Sequence, residues 1–436
     1  MRRGFIAVLL LLALTVAIGC FGKRPNNSVT FGSVAQAYGF VAASRQSGPV
    51  EPVLYGSPPG YGLVLATLAG MNAGTSAALD CWRFATAETR ICTSHRFGFV
   101  VFVQLLVALS TLLLALLVTW RLSGQATIAL ATLLLFDLAT RPGEAAASIR
   151  PGVWYTFFLL LFLALSLEGL RRNSAIWTTA SGAALGLAAV IEPHAVVLAP
   201  VMAVGLLMFG STSSSDAVAA RPAVMSAGLL VGTAATAIGC LVWASRHGYD
   251  PASVVHYQAR LLSERMAFLL IDQRSWLASL LIPIPIIGDL IAGLLPDAVV
   301  RRLGASWSGS LTMTGSNSIY PHALAVSGGS PAAAIAWLLR ENVVAHSVTY
   351  IVSIPPVLAR GIWASGGIVA LLGVFHVGTM LGFARAERRL AEHRLVLIPV
   401  GASLLTTTLL TENTATLNPL LPFVYAYAIA YVAAGW

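Results

Sequence analysis

Long apolar runs separated by short polar connectors set the pattern of this chain. The runs occupy approximately residues 5–21, 97–120, 125–139, 153–170, 176–191, 195–209, 223–244, 367–383, 395–410 and 420–436. A helix of about 20 apolar residues crosses the hydrocarbon core of a bilayer, so most of these segments are predicted to span a membrane. Two further stretches, 277–295 and 343–355, are ambiguous. Pro283, Pro285 and Gly288 interrupt the helical pattern of the first. Basic groups punctuate alternate connectors at Arg121, at Arg171 and Arg172, and at Arg385, Arg388 and Arg389. The positive-inside bias puts that face in the cytoplasm. Parity then requires both ambiguous stretches to cross or neither, which gives about ten to twelve spans. The N-terminal run follows Arg2 and Arg3 and has the shape of a signal peptide, and Val16-Ala-Ile-Gly-Cys20 is similar to a lipobox. It is read here as an uncleaved first helix with a cytoplasmic N-terminus.

Two regions do not fit the alternation. Residues 23–96 form a large outer loop, within which 61–71 is apolar but short for a span and is predicted to lie in the interface as a juxtamembrane helix. Residues 245–331 form a second outer or irregular region. It starts amphipathic and charged, and its 306–331 portion is a Gly/Ser/Thr-rich loop without periodicity. A polar inner linker is expected at 211–222, and a short outer loop at 140–152.

Composition narrows the class. Hydrophobic residues make up 57% of the 436 residues and charged residues 10%, against about 25% charged in a soluble globular chain, which excludes an ordinary water-exposed surface. The formal charge of +9 lies in short connectors rather than in a stripe with interleaved aromatics. It therefore reads as membrane anchoring, with membrane lipids rather than nucleic acid as partners. Of four cysteines, Cys81 and Cys92 share one polar segment of the first outer loop. They are either a disulfide formed in an oxidising exterior or two unpaired thiols, while Cys20 and Cys240 lie in spans as packing residues. No CxxC or HExxH spacing, P-loop, GxGxxG after a strand or GxSxG is present, so no organic cofactor is expected and no residue is named as a metal ligand, the use of a metal staying open.

Several segments, taken in order, carry a resemblance. A basic-tipped first span leads into a large loop holding an aromatic and Ala-rich helix, Ser33-Val-Ala-Gln-Ala-Tyr38. The same loop then carries Tyr55-Gly-Ser-Pro58-Pro59-Gly-Tyr61, which feeds an apolar helix. A pair of spans around a short outer loop follows, then an apolar helix ending at Arg171-Arg172. Next comes a Gly-rich span, Ser181-Gly-Ala-Ala-Leu-Gly-Leu187, that ends in the turn Glu192-Pro-His194. This ordered set, strongest over the first 210 residues, resembles the GT-C glycosyltransferases of the protein mannosyltransferase and aminoarabinose transferase (family 39) type. The resemblance implies an all-α polytopic fold, with residues 1–436 as a single transmembrane domain. It implies transfer of a sugar from a polyprenyl-phosphate-linked donor to a lipid, glycan or protein at the outer face of a bacterial inner membrane. The alternative is a catalytically inactive scaffold of the same fold, or a subunit that binds another membrane protein.

The chemistry selects candidates. Sugar transfer from a phosphate-linked donor needs a base for the acceptor hydroxyl and cations for the leaving phosphate. The family usually has an acid near the position of Ser33, but here the first acid of the loop is Glu51. Glu51 and Glu144 are the candidate bases, with Glu192 a third acid on the outer face. Arg141, Arg150 and Arg360 are candidates to hold phosphate through a guanidinium fork, or else to anchor helices at the interface. Tyr38, Tyr55, Pro58, Pro59, Tyr61, Glu192 and His194 are expected to shape the cavity. Asp137 is expected to be structural, in reach of an i,i+4 pair with Arg141.

Overall fold

The computed structural model describes residues 31–45, 58–82, 97–209, 216–269, 319–384, 390–411 and 419–434. Among these residues every regular element is helical. The apolar runs at 5–21 and 277–295, together with Glu51, Tyr55 and Cys92, lie outside them. Five helices are long and apolar enough to cross a membrane: Gly98–Ser123, Gly152–Arg172, Pro222–Arg246, Ser365–Gly382 and Glu392–Leu410. Shorter apolar helices lie between them, and the chain is a multi-pass, all-α membrane protein, as its hydropathy pattern predicts. Contacts divide it into two compact units.

The first unit begins with three helices of the large loop, α1 (Phe31–Arg45), α2 (Gly60–Met71) and α3 (Ala73–Trp82). They close on one another and on the start of α4 (Gly98–Ser123) through a core that includes Val34, Tyr61, Leu65, Leu79, Phe97, Val100 and Ile149. Then follow α5 (Ala126–Thr140), the short α6 (Pro142–Ala146), α7 (Gly152–Arg172), α8 (Ala175–Ile191), a 3-10 turn (Pro193–Val197), α9 (Leu198–Phe209) and α10 (Asp216–Arg246). The hairpins have identifiable stops. Gly124 at φ 71° ends α4, its amide returning to the Trp120 carbonyl at 2.7 Å, and left-handed Asn173 ends α7. Pro193 prevents continuation of α8.

In lipid, helices gain little from hydrophobic burial against one another and associate through small residues that let backbones approach. The α8–α10 crossing follows this rule. Gly182 and Gly186 of α8 and Gly228 and Gly232 of α10 sit against the facing backbone or Thr179, and a Cβ added at Gly186 would lie 2.7 Å from the Thr233 carbonyl oxygen. Hydroxyls inside the bundle are also satisfied, Thr111, Thr119 and Thr132 each donating to the carbonyl four residues back. The unit is completed by the later part of α15 (Ile354–Ala384), the first part of α16 (Leu390–Leu410) and α17 (Leu421–Ala434), whose Phe423 packs edge-on against Phe136 of α5.

The second unit contains α11 (Ala252–Leu269), α12 (Tyr320–Val326), α13 (Pro331–Leu338), α14 (Ser347–Val352), the start of α15 and the end of α16. Leu262, Met266, Ala323, Ala334, Leu338 and Tyr350 form its core. Fully buried Arg265 is held there by oxygen acceptors. Its Nε donates to the Thr408 carbonyl at 3.0 Å and its Nη2 to the Ser353 hydroxyl at 2.5 Å. Its guanidinium lies over the Tyr350 ring at 4.5 Å, and the Tyr350 hydroxyl donates to the Leu409 carbonyl. Thr408 and Leu409 belong to the last turn of α16, where carbonyls lack intrahelical donors and the helix dipole is negative. A cation at that place satisfies both.

Four expectations are corrected. Part of the supposed loop 306–331 is helical: α12 forms from Tyr320, and together with Pro331–Glu341 it makes a pair bent by 109°. Part of the expected linker 211–222 belongs to α10, which starts at Asp216 and carries Pro222 inside. The span predicted to begin near Gly367 is preceded by helix back to Ile354. Non-helical backbone at Gly366 and Gly367 (φ 55°) breaks the two pieces there. Finally, left-handed Arg141 (φ 44°) keeps its amide bonded to the Asp137 carbonyl at 2.9 Å, while its guanidinium lies 3.8 Å from Glu144.

Candidate functional site

The loop end of the first unit, opposite Arg121 and Arg171, gathers the polar residues of interest. It starts with the Pro-Pro-Gly-Tyr stretch. Pro58 and Pro59 are buried, and Pro59 precedes the first turn of α2, a position where a missing amide costs nothing. Gly60 then touches backbone: a Cβ here would lie 2.6 Å from the Ile191 nitrogen and 2.7 Å from the Val190 carbonyl carbon. The glycine thus docks the loop helix on the end of the Gly-rich span. Tyr61 follows, 2% exposed, and burial pushes its hydroxyl pKa up, so it stays a proton donor. It donates to Gln104 Oε1 at 3.3 Å, and Gln104 Nε2 donates to the Ser148 carbonyl at 3.0 Å. This relay ties the first outer loop, α4 and the 140–152 loop together.

Beside it, α7 and the α8 terminus supply a second group. The Tyr155 hydroxyl lies 2.9 Å from His194 Nε2, with the rings edge-on. His194 Nδ1 lies 3.9 Å from Glu192 Oε2. If Tyr155 donates to Nε2, the neutral imidazole carries its proton on Nδ1, facing the carboxylate. The extended backbone at Glu192 and the proline after it turn both side chains out of the α8 axis. His194 is buried, whereas the Glu192 side chain keeps 14% of its surface exposed.

An apolar cavity of about 230 Å³ is lined by the chain neighbours of these groups, Gly60 before Tyr61, Trp154 before Tyr155 and Ile191 before Glu192, and not by the polar residues themselves. Its walls are Leu63 and Val64 of α2, Trp154 and Phe158 of α7, Val190 and Ile191 of α8, and the free thiol Cys240 of α10. The Trp154 indole nitrogen is buried without an acceptor among the described residues, at a mostly apolar wall that also carries Thr67 and the Cys240 thiol. A slot of this kind suits an apolar chain.

The remaining predicted residues are distributed more widely. Glu144 and Arg141 form an exposed pair on the 140–152 loop. Arg150 is exposed and directly follows Ile149, which is buried in the same core as Tyr61. Tyr38 is half-buried on α1. Arg360 belongs to α15 in the second unit, and its side chain lies outside the described residues. Cys81 on α3 is disulfide-bonded, with its partner outside the described residues. Pro58, Pro59, Tyr61, Glu192 and His194 are therefore brought to one place, and Glu144 is not among them. Sequence reasoning missed Gly60, Gln104, Trp154 and Tyr155. The amide of Gln104 inside an apolar run was the one visible signal. Among the described residues, no three His, Cys, Asp or Glu side chains cluster as a metal site would require.

No protein-family model and no curated protein matches the chain. Solved structures do. The Archaeoglobus fulgidus oligosaccharyltransferase in its apo form aligns at 11% identity over 99% of this chain and 50% of its own, with a TM-score of 0.51. The same enzyme tethered by a disulfide to an acceptor peptide containing the NVT sequon aligns at 9% identity over 100% and 50%, also at 0.51. A complex of this archaeal enzyme, AglB, with an inhibitory peptide and a dolichol-phosphate aligns at 11% identity over 99% and 50%, with a TM-score of 0.49. The chain spans about half the length of these structures. At such identities the likeness is one of architecture: the protein has a fold similar to that of the Archaeoglobus fulgidus oligosaccharyltransferase.

Proposed function

We propose that the protein is a membrane glycosyltransferase that takes a sugar from a polyprenyl-phosphate carrier. It acts at the outer face of a bacterial inner membrane, with its N-terminus in the cytoplasm. The observation that carries this reading is an apolar cavity whose lining residues Ile191 and Trp154 are the chain neighbours of Glu192 and Tyr155 at the loop end of the bundle. The family resemblance of the ordered motifs and the shared architecture support it. The basic residues Arg121, Arg171 and Arg172 mark the opposite end as cytoplasmic and leave the loop end outside.

The terminal isoprene units would occupy the cavity. The acceptor oxygen attacks the anomeric carbon, the bond from that carbon to the phosphate oxygen breaks, and the acceptor proton passes to a carboxylate. Of the three outer acids, Glu192 is the base we assign, because among the described ones it directly follows a cavity-lining residue, Ile191. His194 and Tyr155 hold it in place, and Glu51 remains a sequence candidate. Arg141 and Arg150 would take the leaving phosphate. Glu144, already paired with Arg141, serves in that assignment to position the arginine.

The test is transfer of radiolabelled sugar from a polyprenyl-phosphate donor by the purified protein. Glu192→Gln is expected to abolish transfer while leaving folding and donor binding intact. Full transfer by Glu192→Gln would remove this base from the scheme. One observation favours the second reading, a non-catalytic scaffold: the usual early acid of the first loop is absent, and Glu144 is spent on an exposed ion pair. Donor binding without turnover in any variant would establish that reading.

A further inference from the structure

The opposite end of the first unit holds a second cleft, independent of the site above. It has a volume of about 540 Å³ and is lined by Leu117, Trp120, Arg121, Gly124, Arg171 and Glu392. Three helices meet there: the end of α4, the end of α7 and the start of α16. Arg171 is their junction. Its Nε and Nη2 each reach a Glu392 oxygen at 2.9 Å, and Nη2 also donates to the Arg121 carbonyl. Arg121 pairs with Glu168, which also accepts from Arg172. Arg172 in turn lies over the Trp177 ring at 5.1 Å.

Among the described residues, the three arginines of this network face two glutamates, leaving one positive charge in excess. After its bonds to Glu392 and Arg121, the Arg171 guanidinium still has Nη1 without a hydrogen bond among the described residues, and its side chain is 32% exposed. Trp120 is 56% exposed at the rim, and Leu113 and Leu117 continue from it along α4 toward the bilayer centre. Charge at one wall and an aromatic and aliphatic track at the other match an amphiphile standing at a membrane interface. The volume falls within the range of a small-molecule site and exceeds what a bare ion fills.

We propose that this cleft binds an acidic phospholipid of the cytoplasmic leaflet. The lipid phosphate would be held by Arg171 and Arg121, and an acyl chain would lie over Trp120 and Leu117. A bound lipid would bridge α4, α7 and α16, adding its contacts to the ion pairs that already join them.

The test titrates the purified full chain in detergent with phosphatidylglycerol, phosphatidylcholine or inorganic phosphate, reading lipid adducts by native mass spectrometry and the melting midpoint in parallel. Phosphatidylglycerol is expected to bind and to raise the midpoint, with phosphatidylcholine at least tenfold weaker and inorganic phosphate without effect. The double variant Arg171→Gln/Glu392→Gln removes the pair without stranding a charge. It and Trp120→Ala are each expected to weaken phosphatidylglycerol binding about tenfold, the scale of one charge-assisted hydrogen bond or one aromatic contact. Because Trp120 is exposed, its variant should keep the lipid-free midpoint of the wild type. Equal binding of the two phospholipids, or unchanged phosphatidylglycerol binding in both variants, overturns the proposal. An equal midpoint shift with inorganic phosphate overturns it in favour of a soluble anion.

Discussion

The docking of α2 on the end of α8 can be tested at one atom. At Gly60 a methyl group would sit 2.6 Å from the Ile191 nitrogen, 2.7 Å from the Val190 carbonyl carbon and 2.8 Å from the Ile191 Cα. Comfortable separation between such atoms is about 3.5–4.0 Å, so the two segments must part by roughly 0.8 Å or more. All three neighbours are backbone and cannot rotate away. Overpacking of this kind costs about 1–3 kcal/mol, and the backbone neighbours place Gly60→Ala toward the upper end. Gly70 is the internal control. It lies in the same helix with nothing within 4 Å of its added Cβ, so Gly70→Ala should gain up to about 1 kcal/mol from helix propensity. Thermal unfolding in detergent, followed by tryptophan fluorescence, separates the two. Gly60→Ala should melt below the wild type, and Gly70→Ala at or above it. Because Gly60 also lines the apolar cavity, Gly60→Ala should weaken donor binding as well. A Gly60→Ala protein that melts with or above Gly70→Ala would refute the close-approach reasoning.

Further outcomes follow from individual contacts. Tyr61→Phe removes the donor to Gln104 and should cost about 1 kcal/mol, seen as a lower melting midpoint. Arg265→Ala breaks a buried cluster of carbonyl, hydroxyl and ring contacts and should cost about 3–5 kcal/mol. Arg265→Lys should fail to restore it, because an ammonium cannot make the same forked bonds; limited proteolysis of the second unit reads both. Asn173→Gly relieves a left-handed residue at the end of α7 and should raise the midpoint by the equivalent of about 0.5–1 kcal/mol.

The bundle was largely legible because hydrophobic length is a strong signal. The run at 97–120 became Gly98–Ser123 and that at 153–170 became Gly152–Arg172, each within a few residues. The short apolar run at 61–71 became α2, a separate helix as expected. The Pro-Pro-Gly-Tyr stretch and the Glu-Pro-His turn were visible as punctuation, but their meeting depends on a backbone contact between residues some 130 positions apart, which no local pattern encodes. Tyr155 was hidden for the same reason: a tyrosine near the start of an apolar helix reads as an interface anchor until His194 is folded against it. Arg141 misled because it is the left-handed residue that ends α5: its amide keeps the i,i+4 bond to Asp137, while its guanidinium lies beside Glu144. α12 was missed because its seven residues follow a Gly/Ser-rich stretch and carry too little apolar periodicity to register.

The central claim is sugar transfer from a lipid-linked phosphate at the loop end. Its most direct test reconstitutes the wild type, Glu192→Gln, Glu144→Gln and Glu51→Gln in liposomes with labelled polyprenyl-phosphate sugars, and measures donor binding and turnover in each. The account predicts binding by all four and turnover by the wild type, with turnover lost in Glu192→Gln and reduced but present in Glu144→Gln. Absence of turnover in the folded wild type, with or without donor binding, would contradict it.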